Sequence, residues 1–286
     1  MAGTYPVMVN YTVNKIDLKI DLDSDMVATA SDYLVSKSGL SKSKVKDAMN
    51  KGAVWLKKKR GGMNRLRRST SVLKKGDHIE LHYDEKILSI TPPSADCLSD
   101  RGNYSVWYKP PGMTAQGTLY GDHCSLMRHA ELFFSPHRKV FLVHRLDREA
   151  SGVMLIAHDK PAAAGLSELF QKNLITKRYR ADVLGDPGEK DLQGTIEFPL
   201  DGKSAMTEYR VLSYDPERNT STVDIVIRTG RLHQIRRHFE MIGHPVMGDP
   251  KYGKGNKNTE GMRLTAVSLR FRYPVRGQEV EFSVPE

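Results

Sequence analysis

The chain has 286 residues, 39% of them hydrophobic, with a mean hydropathy of −0.49, two cysteines and a formal net charge of +10. That length allows two domains. The absence of any apolar run near about 18 residues excludes a membrane-spanning helix, and Cys97 and Cys124, far apart and outside any CxxC, form neither a disulfide framework nor a zinc site.

The opening stretch, MAGTYPVMVNYTVNKIDLKIDLDSD, has no charged region followed by an apolar block, so no secretory signal is expected and a reducing cytoplasm fits. Residues 1–17 read as an N-terminal arm. From 22 onward, DSDMVATASDYLVSKSG predicts a helix with Val27, Leu34 and Val35 inward and Gly39 at its C-terminal stop. LSKSKVKDAMNKG predicts a second helix, capped by Ser41 and ended by Gly52. Its Val45, Ala48 and Met49 face inward, while Lys44 and Lys51, seven apart, share the outer face. AVWL and HIELHY read as short strands flanking KKKRGGMNRLRRSTSVLKKGD, a basic, glycine-broken connector suited to gripping phosphates.

The charge is concentrated here. Residues 37–75 hold ten lysines and four arginines against one acid, Asp47, a net +13; with +10 overall, the remainder carries −3. A local excess of this kind points to a polyanion, and nucleic acid fits better than an anionic membrane surface. The candidate RNA-binding residues are Lys44, Lys51, Lys57, Lys58, Lys59, Arg60, Arg65, Arg67 and Arg68. Two helices followed by a strand-rich basic hairpin ending in VLKKGDHIELHY resemble the small α/β RNA-binding module of certain ribosomal proteins, tyrosyl-tRNA synthetases and RNA-modifying enzymes. The resemblance covers residues 18–84, with Lys57–Arg60 standing where that module usually has an Asn-Gly turn.

DEKILSITPPSADCLSDRGN, with its Pro pair and small polar residues, reads as a linker over 85–102, and a larger domain follows over 103–286. VMLIA (153–157) is a buried strand. DKPAAAGLSELFQKN is a helix with Asp159 as cap, Pro161 in the first turn, and Leu166, Leu169, Phe170 and Leu174 as its inner stripe. KRYRADVLG and TSTVDIVIRTG are strands; in the second, Val223, Ile225 and Ile227 alternate with polar residues. RLHQIRRHFEMIG is a helix burying Leu232, Ile235, Phe239 and Ile242, with Gly243 past its end. Strands outnumber helices without strict alternation, so the fold class is α+β: a mixed, largely antiparallel sheet with packed helices.

FLVHRLDREASGVMLIAHD sets Asp147 between Arg145 and Arg148 at the edge of an apolar strand. Arg236, next to buried Ile235, would run along the margin of the core, and the two side chains are placed to form a partly buried ion pair. Such a pair keeps a carboxylate ionised, which suits a nucleophile. Metal catalysis fits poorly: His233 and His238 lie five apart, about 140° around a helix, whereas helical zinc ligands stand at i and i+4. Ser151 lacks the G-x-S-x-G context of a hydrolase elbow, and no glycine-rich phosphate loop or dinucleotide fingerprint occurs. A carboxylate, arginines, an aromatic and no cofactor suit chemistry on an RNA base.

HRLDREASG resembles the HRLDxxTSG signature of the pseudouridine synthases that act on large ribosomal RNA and some tRNAs. YKPPGM resembles that family's KPxGL stretch, KRYRA its K-x-Y-x-A strand, and TGRLHQIRRHFEMIGHPVMGDPKYG its GRTHQIRxHxxxxGHPIxGDxxYG block, all in family order over 104–286. Ala150 and Leu232 stand where the family has threonines. The resemblance implies the pseudouridine synthase catalytic fold and isomerisation of uridine to pseudouridine, with Asp147 as the essential carboxylate, Arg236 pairing with it and Tyr179 stacking on the uracil. Arg145 would fill the gap left by the flipped nucleotide or bind its phosphates. It further implies ribosomal RNA or tRNA as partner; from the residues themselves no metal, no small-molecule cofactor and no membrane are expected, and the protein is expected to be a monomer. Two other readings remain distinguishable: a non-catalytic RNA-binding or ribosome-assembly factor, which needs none of Asp147, Tyr179 and Arg236, and a metal-dependent nuclease, which a chelator would inactivate.

Overall fold

In the computed structural model, which describes residues 14–189, 191–273 and 277–285, the alternating KIDLKID already forms a strand, β1 (Lys15–Asp21). The expected arm is corrected there: residues 15–17 belong to β1, and residues 1–13 lie outside the described residues. The charged half of the alternation disguised a strand whose Ile16, Leu18 and Ile20 pack on the core.

Helix α1 (Ala30–Ser38) begins later than its apolar pattern suggested, because the Thr29 side chain caps it by accepting from the Asp32 N–H. Val27 precedes that cap and is fully exposed rather than inward. Helix α2 (Lys42–Asn50) is capped by Ser41 as expected, and buries Val45, Ala48 and Met49. With β2 (Val54–Lys57), β3 (Met63–Arg65) and β4 (His78–Asp84), β1 makes an antiparallel sheet in the order β1-β4-β2-β3.

The chain divides by its contacts into residues 1–91 with 117–124, and residues 92–116 with 125–286. The linker expected over 85–102 is largely structured. Asp84 caps a short helix, α3 (Glu85–Leu88), whose Leu88 is buried, and β5 (Asp96–Asp100) pairs antiparallel with β6 (Tyr104–Lys109). A polar strand that satisfies its backbone along a sheet edge does not advertise itself by hydrophobicity.

The larger unit carries one sheet of ten strands. Beyond β5 and β6 these are β7 (Phe141–Leu142), β8 (Ser151–Ala157), β9 (Thr176–Leu184), β10 (Gln193–Ile196), β11 (Thr207–Asp215), β12 (Thr220–Ile227), β13 (Leu264–Arg272) and β14 (Glu279–Ser283). The order is β10-β11-β12-β9-β13-β8-β6-β5, with β14 beside β13 and β7 beside β8. Among the described strands only β8 and β13 pair in parallel. The α+β reading with a largely antiparallel sheet therefore holds. Every residue of β8 is buried, because Val153 and Leu155 enter one core cluster while Met154 and Ile156 enter another.

Helices α4 (Leu126–Phe133), α5 (Lys160–Gln171) and α6 (Gln234–Met241) complete the unit. Leu174 and Leu232, expected inside, are 58% exposed; each lies beyond its helix, where the helical period no longer directs side chains. No helix among the described residues is long and apolar enough to cross a membrane.

Candidate active site

Residues 143–150 form the loop between β7 and β8, and its shape is set from both ends. Leu146 and Ala150, flanking Asp147, are buried in separate core clusters. After the loop, Gly152 takes φ +122°, and a Cβ there would lie 2.2 Å from the Ala266 carbonyl oxygen on β13. Only glycine permits that approach, so the small-residue end of the signature locks β8 to its parallel neighbour.

Lys109, at the end of β6, anchors the loop from beneath. Its side chain is fully buried, and Nζ donates to the carbonyls of Pro110 (3.0 Å), Met113 (2.9 Å) and Ala150 (2.5 Å), with Arg148 O at 3.4 Å. Burial pulls its pKa down to about 8, against the carboxylates of Asp147 and Glu149, which hold it up. At neutral pH it keeps its charge and three donors. As pH rises through about 8 the amine retains two, fewer than the carbonyls it serves. We expect Lys109→Met to melt lower, since each buried carbonyl left unpaired costs about 1–3 kcal/mol, and to turn over more slowly with RNA affinity little changed. Unaltered melting and rate would remove this role.

The ion pair expected between Asp147 and Arg236 is present: Nη1 donates to Asp147 Oδ2 at 2.8 Å. Arg236 does not run along the margin of the core, however; it is 2% exposed. A second carboxylate accounts for the difference. Asp249 accepts from Arg236 Nε (2.6 Å, Oδ2) and Nη2 (2.8 Å, Oδ1), and its Oδ1 also accepts from the N–H groups of Lys251 and Tyr252. Burial opposes charge on Asp249, yet Arg236 and those two N–H donors hold its carboxyl below the usual range. Burial likewise opposes charge on Arg236, and the hydrogen bonds to Asp249 and Asp147 overcome it, holding the guanidinium above its ordinary value. Asp147 is the solvent-facing member, its side chain 22% exposed.

His233, at the left-handed N-cap of α6 with φ +53°, places Nε2 3.8 Å from Asp147 Oδ1 and Nδ1 2.9 Å from the Tyr252 hydroxyl. Burial lowers its pKa, against the pull of Asp147, so it is neutral at neutral pH. Gln234, next in the chain, accepts from Thr229 Oγ1 and the Arg231 N–H and fixes the turn that enters the helix.

Two adjoining cavities open here. One of about 120 Å³ is lined by Asp147, Tyr179, Arg236 and His233 among others; one of about 540 Å³ shares Asp147, Tyr179, Arg145 and His233 and extends along His144, Phe170 and Lys177. The larger has the size of a small-molecule pocket. Tyr179 reaches them from β9, where Ala266 and Ile225 flank it on neighbouring strands. Burial, then the Asp147 charge, pushes its phenol up, so it stays protonated. Arg145 is exposed at the rim of both cavities. His144 stacks on Phe170 (4.2 Å between centroids, 17°), and its Nε2 accepts from the Leu155 N–H. Burial, helped by Lys177, lowers its pKa to about 3, so this histidine is a neutral strut.

The structure thus brings together Asp147, Arg236, Tyr179 and Arg145. The sequence reading assigned no role to Lys109 or Asp249, although both stand in stretches it quoted, YKPPGM and GHPVMGDPKYG.

The candidate RNA-binding residues of the smaller unit divide in two. Arg65 donates to the Gly52 and Thr118 carbonyls, lies 3.1 Å from Asp122 and covers the Trp55 ring, while Arg67 bridges Asn50 O and Asp122. Both are internal struts to the 117–124 segment. Lys44 pairs with Glu85, and Lys51 with Asp47 and the Leu88 carbonyl. Lys57, Lys58, Lys59, Arg60 and Arg68 are exposed. Lys58, Lys59 and Arg60 join Lys74 and Lys75 around a concavity of about 410 Å³ whose one acid, Asp77, is tied to Lys58 at 2.7 Å.

A family model described as RNA pseudouridylate synthase matches residues 103–241. The ribosomal large subunit pseudouridine synthase D of Zymomonas mobilis subsp. mobilis is 36% identical over 166 residues, 49% of this chain; the match spans about half of that relative, 51% of its length. An uncharacterised RNA pseudouridine synthase of Aquifex aeolicus is 30% identical over 282 residues, 86% of each chain. The solved structure of human RNA pseudouridylate synthase domain containing 1 superposes with a TM-score of 0.57 at 24% identity, covering 69% of this chain and 86% of that one, a likeness of fold.

Proposed function

The chain belongs to the RNA pseudouridylate synthase family, and we propose that it converts specific uridines of structured RNA, ribosomal RNA first and tRNA as the alternative class, to pseudouridine. Asp147 is the essential carboxylate. The reaction breaks the N1–C1′ bond, turns the uracil and joins C5 to C1′. The observation that carries the reading is the Asp147 carboxylate, held 2.8 Å from a buried arginine yet open to a cavity walled by Tyr179.

In this reading Tyr179 stacks on the uracil, replacing stacking lost when the nucleotide leaves its helix. Arg145, at the rim, meets the displaced strand or its phosphates. The enzyme works as a cytoplasmic monomer without a cofactor. A map of pseudouridines in ribosomal RNA and tRNA from cells with and without the protein tests the proposal. Sites missing without it, and restored by the purified protein, are the expected result; an unchanged map overturns it.

The small unit serves as the RNA anchor, and its exposed cations support that assignment better than its buried ones. We expect the full-length Lys57→Ala/Lys59→Ala/Arg60→Ala protein to bind RNA more weakly at low salt. Its log–log salt slope should be shallower by up to about 2–3, since each phosphate contact contributes about 0.7–0.9. Arg67→Ala should lower the melting temperature instead. Titration of labelled RNA at several salt concentrations distinguishes the two effects, and an unchanged slope in the triple variant removes the anchor.

A further inference from the structure

Among the described residues two lysines of the catalytic unit are buried, and the fold treats them differently. Lys109 is surrounded by the carbonyls described above. Lys177, only 7% exposed, has no hydrogen bond or ion pair from its ammonium to any described residue, and burial alone acts on its charge. It stands two residues before Tyr179 on the same face of β9, in the wall of the 540 Å³ cavity that Asp147 and Tyr179 also line. Gly230 borders it: even a Cβ there would sit 3.9 Å from Nζ, an ordinary contact. His144, which lines the same cavity and feels the Lys177 charge, is neutral and offers no counter-charge.

An ammonium taken from water without a partner destabilises the folded protein. What compensates it is to be sought in the cavity it faces. We infer that Lys177 is a further catalytic residue of the isomerisation, whose ammonium binds a uracil carbonyl oxygen and stabilises negative charge on the base. The inference rests on the proposed activity. A phosphate suits it less well, because phosphates remain near water and exposed Arg145 stands at the rim for them, whereas Lys177 flanks the ring on which the base stacks.

The charge arises whichever route Asp147 takes. If the carboxylate attacks C1′, or the sugar loses a proton to give a glycal, the N1–C1′ bond pair leaves with the base as a uracil anion spread over N1, O2 and O4. If the carboxylate adds to C6, the C5–C6 π pair moves towards C5 and O4 as an enolate. Lys177 gives up no proton in any of these; it donates a hydrogen bond that strengthens as the oxygen gains charge. When C5 joins C1′, the first route breaks the Asp147–C1′ ester bond, and the glycal route returns the sugar proton from Asp147 to C2′. The C6 route breaks N1–C1′, and elimination from C6 then frees Asp147; on every route the C5 proton finally passes to solvent and N1 takes one up.

The probe is an unmodified transcript carrying a uridine whose pseudouridine disappears from cellular RNA when the protein is deleted. Single-turnover rates are measured with full-length enzyme in saturating excess, beside RNA affinity and melting temperature. Lys177→Met should lose about 10²–10³-fold in rate, as removal of an oxyanion donor does. Its RNA affinity should stay within about threefold, and its melting temperature should be equal or higher, because an uncompensated buried charge has gone. Lys177→Gln, which keeps a neutral donor, should fall between the two. A rate for Lys177→Met within about threefold of the unsubstituted protein overturns the inference. So does a lowered melting temperature in both variants, which would make Lys177 a structural residue. If deletion removes no pseudouridine at all, the proposed activity itself fails; a fast Lys177→Met leaves that activity standing and removes only this residue's role.

Discussion

Asp147→Asn is expected to fold, to bind RNA as the unsubstituted protein does, and to form no measurable pseudouridine. The amide keeps the shape of the carboxylate and an oxygen able to accept from Arg236 Nη1. The charge lost is the smaller of the two that hold Arg236, because Asp249 still neutralises the guanidinium through its other two nitrogens. Stability should therefore change little. The chemistry should fall by on the order of 10⁴-fold or more, as when an essential group is removed from a covalent or proton-transfer site. Quantifying pseudouridine after long incubation with excess purified variant checks this, and residual turnover within about tenfold of the original would take the essential role from Asp147.

Arg236→Ala is expected to behave in the opposite way, losing stability and activity together. It strands Asp249, which is fully buried with both oxygens committed, and frees Asp147 to turn. Removing one partner from a buried pair costs about 3–5 kcal/mol, a large part of the roughly 5–15 kcal/mol that holds a domain together. Urea denaturation should show an earlier midpoint, and Arg236→Lys, which keeps charge but not the two-pronged grip on Asp249, should fall between. A midpoint unchanged in Arg236→Ala would mean the buried triad does not exist in solution. Asp249→Asn supplies the cross-check: it should destabilise without touching any atom that faces the cavity.

The catalytic unit was legible where local pattern and tertiary demand agree. The alternation of Val223, Ile225 and Ile227 on β12 and the capped start of α5 at Asp159 are set by neighbours in the chain, and both stand as read. Asp147 and Arg236 were legible as a pair because each borders an apolar segment. Asp249 was not, since it lies in a loop thirteen residues beyond Arg236 with no period to betray it. The same limit misled the reading of charge. Arg65 and Arg67 look like part of an RNA-facing run until Asp122, 55 residues beyond Arg67, is folded against them. Strands β1 and β5 were hidden for a related reason: their membership depends on a partner strand more than on their own apolar content.

Gripped by Asp249 at Nε and Nη2, the Arg236 guanidinium has no freedom to follow its second partner, Asp147. A carboxylate that leaves its resting place to engage a substrate departs from a fixed post, and the post keeps its bearing while the seat is empty. With Asp147 as the proposed essential carboxylate, each turnover would close by its returning to a position stored elsewhere in the protein. The restoring geometry lies in Asp249, which does not line either cavity, so on the proposed activity readiness for the next uridine would not depend on how the previous one left.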